Sequence, residues 1–197
     1  MQNLEQEYDK ILNIKTSGRD DSLSDLTNFP YEATPYLVLE RLLEYNYISK
    51  KDLLIDFGCG KGRVDFFFSS NTKCKSIGIE FSKILYDRAI KNKESSNLNR
   101  VEFINADAKD YQIPDDASRF YFFNPFSIDV LKIVLKRINE SYKKTKREIL
   151  LFFYYPSKQY IELLNEEKGY ILKDKISTMD LFLLNDIREN ILVYEKK

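Results

Sequence analysis

The chain has 197 residues, 43% of them hydrophobic, with 31 basic and 31 acidic side chains, so its net charge is zero. That is about one domain of chain, long enough to bury a core without cross-links. The charge balance gives no electrostatic funnel toward nucleic acid, and the absence of histidine excludes Ser-His-Asp and Cys-His catalysis and every His-containing metal site.

Two cysteines, Cys59 and Cys74, do not form a CxxC pair; they are expected to be free thiols, and no metal site is expected. No apolar stretch approaches the ~20 residues that span a bilayer, and the first residues lack the pattern of a signal peptide. The expectation is a cytoplasmic protein without a membrane partner.

In chain order, Leu4, Tyr8, Ile11 and Leu12 recur at helical spacing, which predicts a short amphipathic helix over 1–14. Residues 15–30 are polar and turn-rich and read as a loop. A second helix is predicted from Pro35 to about Tyr47, with Thr34 as N-cap and Leu37, Val38, Leu42 and Leu43 as its buried face. From residue 52 the chain alternates. Strands are predicted at 52–57, 75–80, 100–105, 118–123 and 148–155. The helices between them fall at 61–70, 82–94 (N-cap Ser82) and 127–143, the last burying Ile128, Leu131, Val134, Leu135 and Ile138. A helix over 157–167 and two strands at 169–176 and 190–195 complete the chain.

Apolar strands alternating with helices imply a parallel sheet covered on both faces. The last two strands, with no long helix between them, should pair antiparallel. The fold class is therefore a three-layer α/β, Rossmann-like domain with a seven-stranded, mostly parallel sheet over 36–197. A helical extension, residues 1–35, precedes it as a candidate lid.

Chemistry-bearing residues cluster at predicted C-terminal strand ends, the edge where open α/β sheets bind ligands. Asp56-Phe57-Gly58-Cys59-Gly60-Lys61-Gly62 turns the first strand into a helix, and its glycines permit a tight turn and a close ligand. The spacing is G-x-G-x-G, neither the G-x-G-x-x-G of dinucleotide enzymes nor a P-loop. Asp56 disfavours a pyrophosphate and favours a ligand carrying positive charge. Glu80, 20 residues after Gly60, can take both hydroxyls of a ribose. Asp107-Ala108 can accept an exocyclic amine and leave room for a ring, although Asp110 competes for that role. Asn124-Pro125-Phe126 closes the fourth strand.

In this order the motifs resemble those of class I S-adenosylmethionine-dependent methyltransferases, over residues 52–155. The resemblance implies that Thr34, Asp56, Gly58, Gly60, Gly62, Glu80, Asp107 and Ala108 hold S-adenosylmethionine, with S-adenosylhomocysteine as product. Asn124-Pro125-Phe126 is similar to the Asn/Asp-Pro-Pro-Phe/Tyr segment of amino-group methyltransferases, with one proline where that segment has two. The similarity implies that these three residues orient an acceptor nitrogen, the ring acting by cation–π attraction. Tyr31-Glu32-Ala33-Thr34-Pro35-Tyr36 and Gly62-Arg63 resemble segments of some protein-lysine methyltransferases.

The acceptor is accordingly a small molecule or a protein side chain, approached by a monomer or a homodimer. A chain of this length has no room for a target-recognition domain, which argues against sequence-specific nucleic acid. Tyr36, Tyr154 and Glu32 are the candidate bases, and Tyr154 and Tyr155 candidate pocket residues. A non-catalytic S-adenosylmethionine-binding scaffold is the main alternative. An aminopropyl transferase and a dehydrogenase fit the motifs less well.

Overall fold

A computed structural model of the chain describes residues 2–18, 32–183 and 186–197. Helix α1 (Gln2–Leu12) and helix α2 (Tyr36–Glu44) precede strand β1 (Leu53–Phe57). There follow α3 (Arg63–Thr72), β2 (Lys75–Glu80), α4 (Lys83–Ser95), β3 (Val101–Asn105), β4 (Ala117–Phe122) and α5 (Ile128–Lys144). Then come β5 (Leu150–Tyr154), α6 (Lys158–Glu166), β6 (Tyr170–Ser177), a 3-10 turn over Met179–Leu181 and β7 (Asn190–Lys196).

The strands form one seven-stranded sheet in the order β3-β2-β1-β4-β5-β7-β6. Pairing is parallel from β3 to β5. It is antiparallel between β5 and β7 and between β7 and β6, as expected for two strands without a crossover helix. The chain runs from β1 to β2 to β3 on one side and then returns to place β4 on the other side of β1. The β1–β4 junction is therefore the topological switch point, where such sheets open a crevice at their C-terminal edge.

Side-chain alternation builds two cores. Leu53, Ile55, Phe57, Phe120, Phe122, Leu151 and Phe153 face α5 and α6. Leu54, Tyr121, Leu150, Phe152 and Tyr154 face α2 and α3. Much of the aromatic content is core: the rings of Phe122 and Phe153 stack at 4.6 Å and those of Phe57 and Phe122 at 5.4 Å. Among the described residues no helix is long and apolar enough to cross a membrane.

Several expectations need correction. Ile11 is 77% exposed, so only part of its predicted stripe packs. Helix α2 starts one residue late, with Pro35 rather than Thr34 as N-cap, and ends at Glu44. Its fully buried residues are Tyr36, Val38, Leu39 and Leu42; Leu43 is partly buried against the same core, and Leu37 is only partly buried. Tyr36 joins that buried face because it stacks on Tyr8 at 4.6 Å and its hydroxyl donates to Asp9 at 2.8 Å. Most of the predicted 15–30 loop, and Tyr31, lie outside the described residues.

Candidate active site

A cavity of about 700 Å³ opens at the C-terminal ends of β1, β2, β3 and β4. Its size suits a small-molecule ligand. Its lining includes Thr34, Asp56, Gly58, Glu80, Asp107, Ala108, Asn124, Pro125 and Phe126, so the switch point gathers nearly every residue singled out in the sequence. Gly60 and Gly62 are not among the lining residues. Both adopt positive φ (56° and 87°) and shape the loop from behind.

Gly58 also has positive φ (72°), and a Cβ there would lie 2.5 Å from Pro125 Cβ. A bare backbone is therefore what allows the loops after β1 and β4 to touch. A Cβ on Gly62 would lie 2.3 Å from Phe103 Cζ, so that glycine serves packing. Cys59 is buried, and burial, with Asp65, Glu80 and Asp56 nearby, pushes its thiol well up; it is an inert wall residue.

Alternation along β1 turns Asp56 to the face of Leu54, toward α3, whose first turn carries Asp65. Burial, and the like charges of Asp65 and Glu80, hold the Asp56 carboxyl well above the usual carboxylate range. Burial raises Asp65 to about 7, although the Ser76 hydroxyl donates to its Oδ1 at 2.6 Å. Asp65 Oδ2 is buried and has no hydroxyl or N–H donor. Two neighbouring buried carboxyls do not both ionise readily, in keeping with the upward shift of both. Asp56 in the cavity wall is thus backed by a second buried acid, of which there was no sign in the sequence.

Glu80 ends β2 and is 8% exposed. Its two oxygens accept from the backbone N–H groups of Gly60 and Ser82, both at 2.8 Å. Burial raises its carboxyl, and those two donors act against the rise. A carboxylate oxygen can accept more than one hydrogen bond, and Glu80 lines the cavity. Asn105 Nδ2 donates to the carbonyls of Glu80 (2.8 Å) and Phe81 (2.9 Å) and fixes the turn. Phe81 and Ile84, 60% and 49% exposed, add apolar lining beside Ala106–Ala108. The sequence reading passed over both; a large apolar residue directly after a strand-end acid was the available signal. Asp107, not Asp110, lines the cavity, and its Oδ2 pairs with Lys109 Nζ at 2.9 Å.

The Asn124 turn departs from expectation. Asn124 Nδ2 donates to the Tyr155 carbonyl at 2.6 Å, and its Oδ1 accepts from Ser157 N–H at 3.0 Å. Both polar ends therefore tie the β4 end to the β5 end. Asn124 and Tyr155 adopt positive φ (43° and 49°), a conformation asparagine tolerates best after glycine. Phe126 is 6% exposed and packs edge-on against Phe57 and Phe122, so most of its ring belongs to the core. Phe123, also unforeseen, lines the cavity and rests on Tyr154 at 4.7 Å.

The last wall is Glu32–Thr34. Thr34 Oγ1 lies 3.2 Å from the Tyr121 hydroxyl, and both residues face the cavity. Among the base candidates only Glu32 does so. Tyr36 and Tyr154 donate to Asp9 and Glu189 (2.9 Å), and burial pushes both phenols far up. Tyr155 bonds Asp186 at 2.5 Å and, with Tyr154, is absent from the lining.

Residues 54–145 match a family model described as a methyltransferase domain. The sheet order and the crevice at its switch point are those of a Rossmann-like α/β fold, on which this match lies. The chain is 30% identical over 77 residues to a protein-lysine N-methyltransferase of Saccharolobus islandicus (strain REY15A), a match covering 39% of this chain. The chain spans about half the length of that curated relative, 48%. An RNA methyltransferase from Salinibacter ruber, solved with S-adenosyl-L-homocysteine, superposes with a TM-score of 0.54 at 20% identity, covering 84% of this chain and 92% of that one. The precorrin-6y C5,15-methyltransferase of Geobacter metallireducens GS-15 gives 0.64 at 14% identity, covering 84% and 90%.

Proposed function

We propose that the chain transfers a methyl group from S-adenosylmethionine to an amine nitrogen of a protein side chain or small molecule. The supporting observation is the single cavity at the switch point, which carries acids, small residues and exposed apolar side chains in the order such a ligand needs. Glu80 suits ribose hydroxyls, and the Asp56 carboxyl, its pKa raised by burial, offers hydrogen bonding to the ligand's polar end. Phe81, Ile84, Ala106 and Ala108 suit a flat ring, with Asp107 beside it to accept an exocyclic amine.

Bound S-adenosylmethionine supplies a methyl group already activated on a sulfonium centre. The protein's own part is then alignment, exclusion of water and charge placement. The amine reading is supported by the lysine-specific name of the curated relative and by Glu32 in the cavity wall, which attracts a cationic acceptor and can take its proton. Asn124 acts by holding the β4 and β5 ends together, not by offering its amide to the acceptor.

Calorimetric titration with S-adenosylmethionine, S-adenosylhomocysteine and NAD tests the reading. Micromolar binding of the first two, weakened at least about tenfold (~1.4 kcal/mol) by Glu80→Ala, is expected. Absence of binding overturns it. Binding without methyl transfer to any amine in an acceptor screen points instead to a non-catalytic scaffold.

A further inference from the structure

Arg63 is the first residue of α3, immediately follows Gly62 and itself borders the cavity, so the test of its positioning role rests on Glu5→Gln, outside the cavity. It is 3% exposed, and every nitrogen of its guanidinium is engaged. Nε donates to Thr16 Oγ1 at 2.7 Å. One terminal nitrogen donates to the Thr34 carbonyl at 3.1 Å and pairs with the Glu5 carboxylate. The other donates to Ser17 Oγ at 3.3 Å and lies 4.0 Å from Asp9 Oδ1. The guanidinium also stacks 4.3 Å above the Tyr36 ring. Only an arginine offers this planar fork of donors.

Its partners come from two stretches of chain. Glu5, Asp9, Thr16 and Ser17 belong to the N-terminal segment, none of whose residues lines the cavity. Thr34 belongs to the cavity wall. The N-terminal segment is itself organised by Asp9, which accepts from Thr16 N–H, Thr16 Oγ1 and Tyr36 Oη at 2.6 to 2.8 Å and from Ser17 N–H and Oγ at 3.0 Å. Burial pulls the Asp9 carboxyl upward, but these donors hold it below the ordinary range. Glu5 Oε1 accepts from Tyr36 N–H at 3.0 Å, at the start of α2. The glycine loop reinforces the grip, with Lys61 Nζ donating to the carbonyls of Ser17 (3.2 Å) and Gly18 (3.3 Å). Asn92 binds Lys15 N–H at 2.8 Å and the Lys61 carbonyl at 2.9 Å.

We infer that Arg63 is a positioning residue through which the N-terminal segment 2–18 sets the Glu32–Thr34 wall of the cavity, and with it ligand affinity. A docked segment that never meets the ligand then controls how well the ligand is held. In its affinity readout the inference rests on the S-adenosylmethionine reading above; its second readout needs no ligand.

The experiment compares wild type, Glu5→Gln, Arg63→Lys and the double variant. Glu5→Gln keeps shape and removes one charge outside the cavity. It is expected to weaken S-adenosylmethionine binding by about three- to tenfold, and Arg63→Lys by about tenfold or more. The double variant should be no weaker than Arg63→Lys alone, because both changes break one linkage. Amide hydrogen exchange at residues 33–38 should speed up in Glu5→Gln without ligand. A purely structural role would lower the melting temperature and leave the affinity of the folded protein unchanged. Unchanged affinity and exchange in Glu5→Gln, or losses that multiply in the double variant, overturn the inference. If wild type does not bind S-adenosylmethionine, the proposed function fails, and the exchange result alone decides the role of Arg63.

Discussion

The loops that follow β1 and β4 end neighbouring strands, meet each other across Gly58 and Pro125, and spend their polar groups differently. After β1, a carboxyl stays on the cavity wall, pushed up mainly by burial and also by a second acid behind it on α3. After β4, the amide of Asn124 is turned inward and consumed by the β5 end. Both loops bend through positive φ, 72° at Gly58 and 43° at Asn124. At Gly58 the missing side chain lets another loop approach. At Asn124 the side chain itself holds the bend. A motif residue at a ligand edge can therefore serve the ligand or serve the edge, and its hydrogen-bond partners distinguish the two.

The largest effect is expected from breaking the contact between the loops. Gly58→Ala places a Cβ against Pro125 at a φ that L residues disfavour. It should cost about 2–4 kcal/mol in a denaturant titration and abolish measurable ligand binding. Next, the acid pair predicts a pH dependence. A carboxyl whose folded pKa is raised stabilises the fold below its unfolded value, and that stability is lost as pH rises through the folded value, near 7 for Asp65. The wild-type unfolding midpoint should fall between pH 5 and pH 8. Asp65→Asn should flatten the slope and raise stability at pH 8 by about 1–3 kcal/mol. A slope unchanged by the substitution would separate Asp56 from Asp65. A smaller effect belongs to Asn124→Ala, which leaves the Ser157 N–H and Tyr155 carbonyl unpaired and should cost about 1–2 kcal/mol. If Asn124 only ties the turns, its kcat should recover in a more stable background; a kcat loss that persists at unchanged stability would return it to the acceptor.

The sheet and its crevice were legible because β-branched and aromatic runs, glycine turns and helix caps are local signals, and Ser82 does cap α4. The site was legible where one short motif ends one strand, as at Asp56, Glu80 and Asp107. It was not legible where function arises between distant segments. Arg63 meets partners from Tyr36 to Glu5, 27 to 58 residues away, and nothing near it in sequence names them. Asp65 reads as an ordinary acid in the first turn of a helix; only the packing of α3 on β1 and β2 buries it beside Asp56. Tyr36 looks like a helix-entry aromatic until Asp9 and Tyr8 hold it inward.

Both thiols are buried and held in the protonated state. Cys59 sits in the cavity wall, and Cys74, pushed up to about 11 mainly by burial, sits beyond the far end of α3. Neither can react until the backbone around it opens, so the protein carries two internal clocks. Alkylation timed at each sulfur reads separately how often the glycine loop breathes and how often the far end of α3 does. A ligand seated in the cavity should slow the first clock and leave the second running.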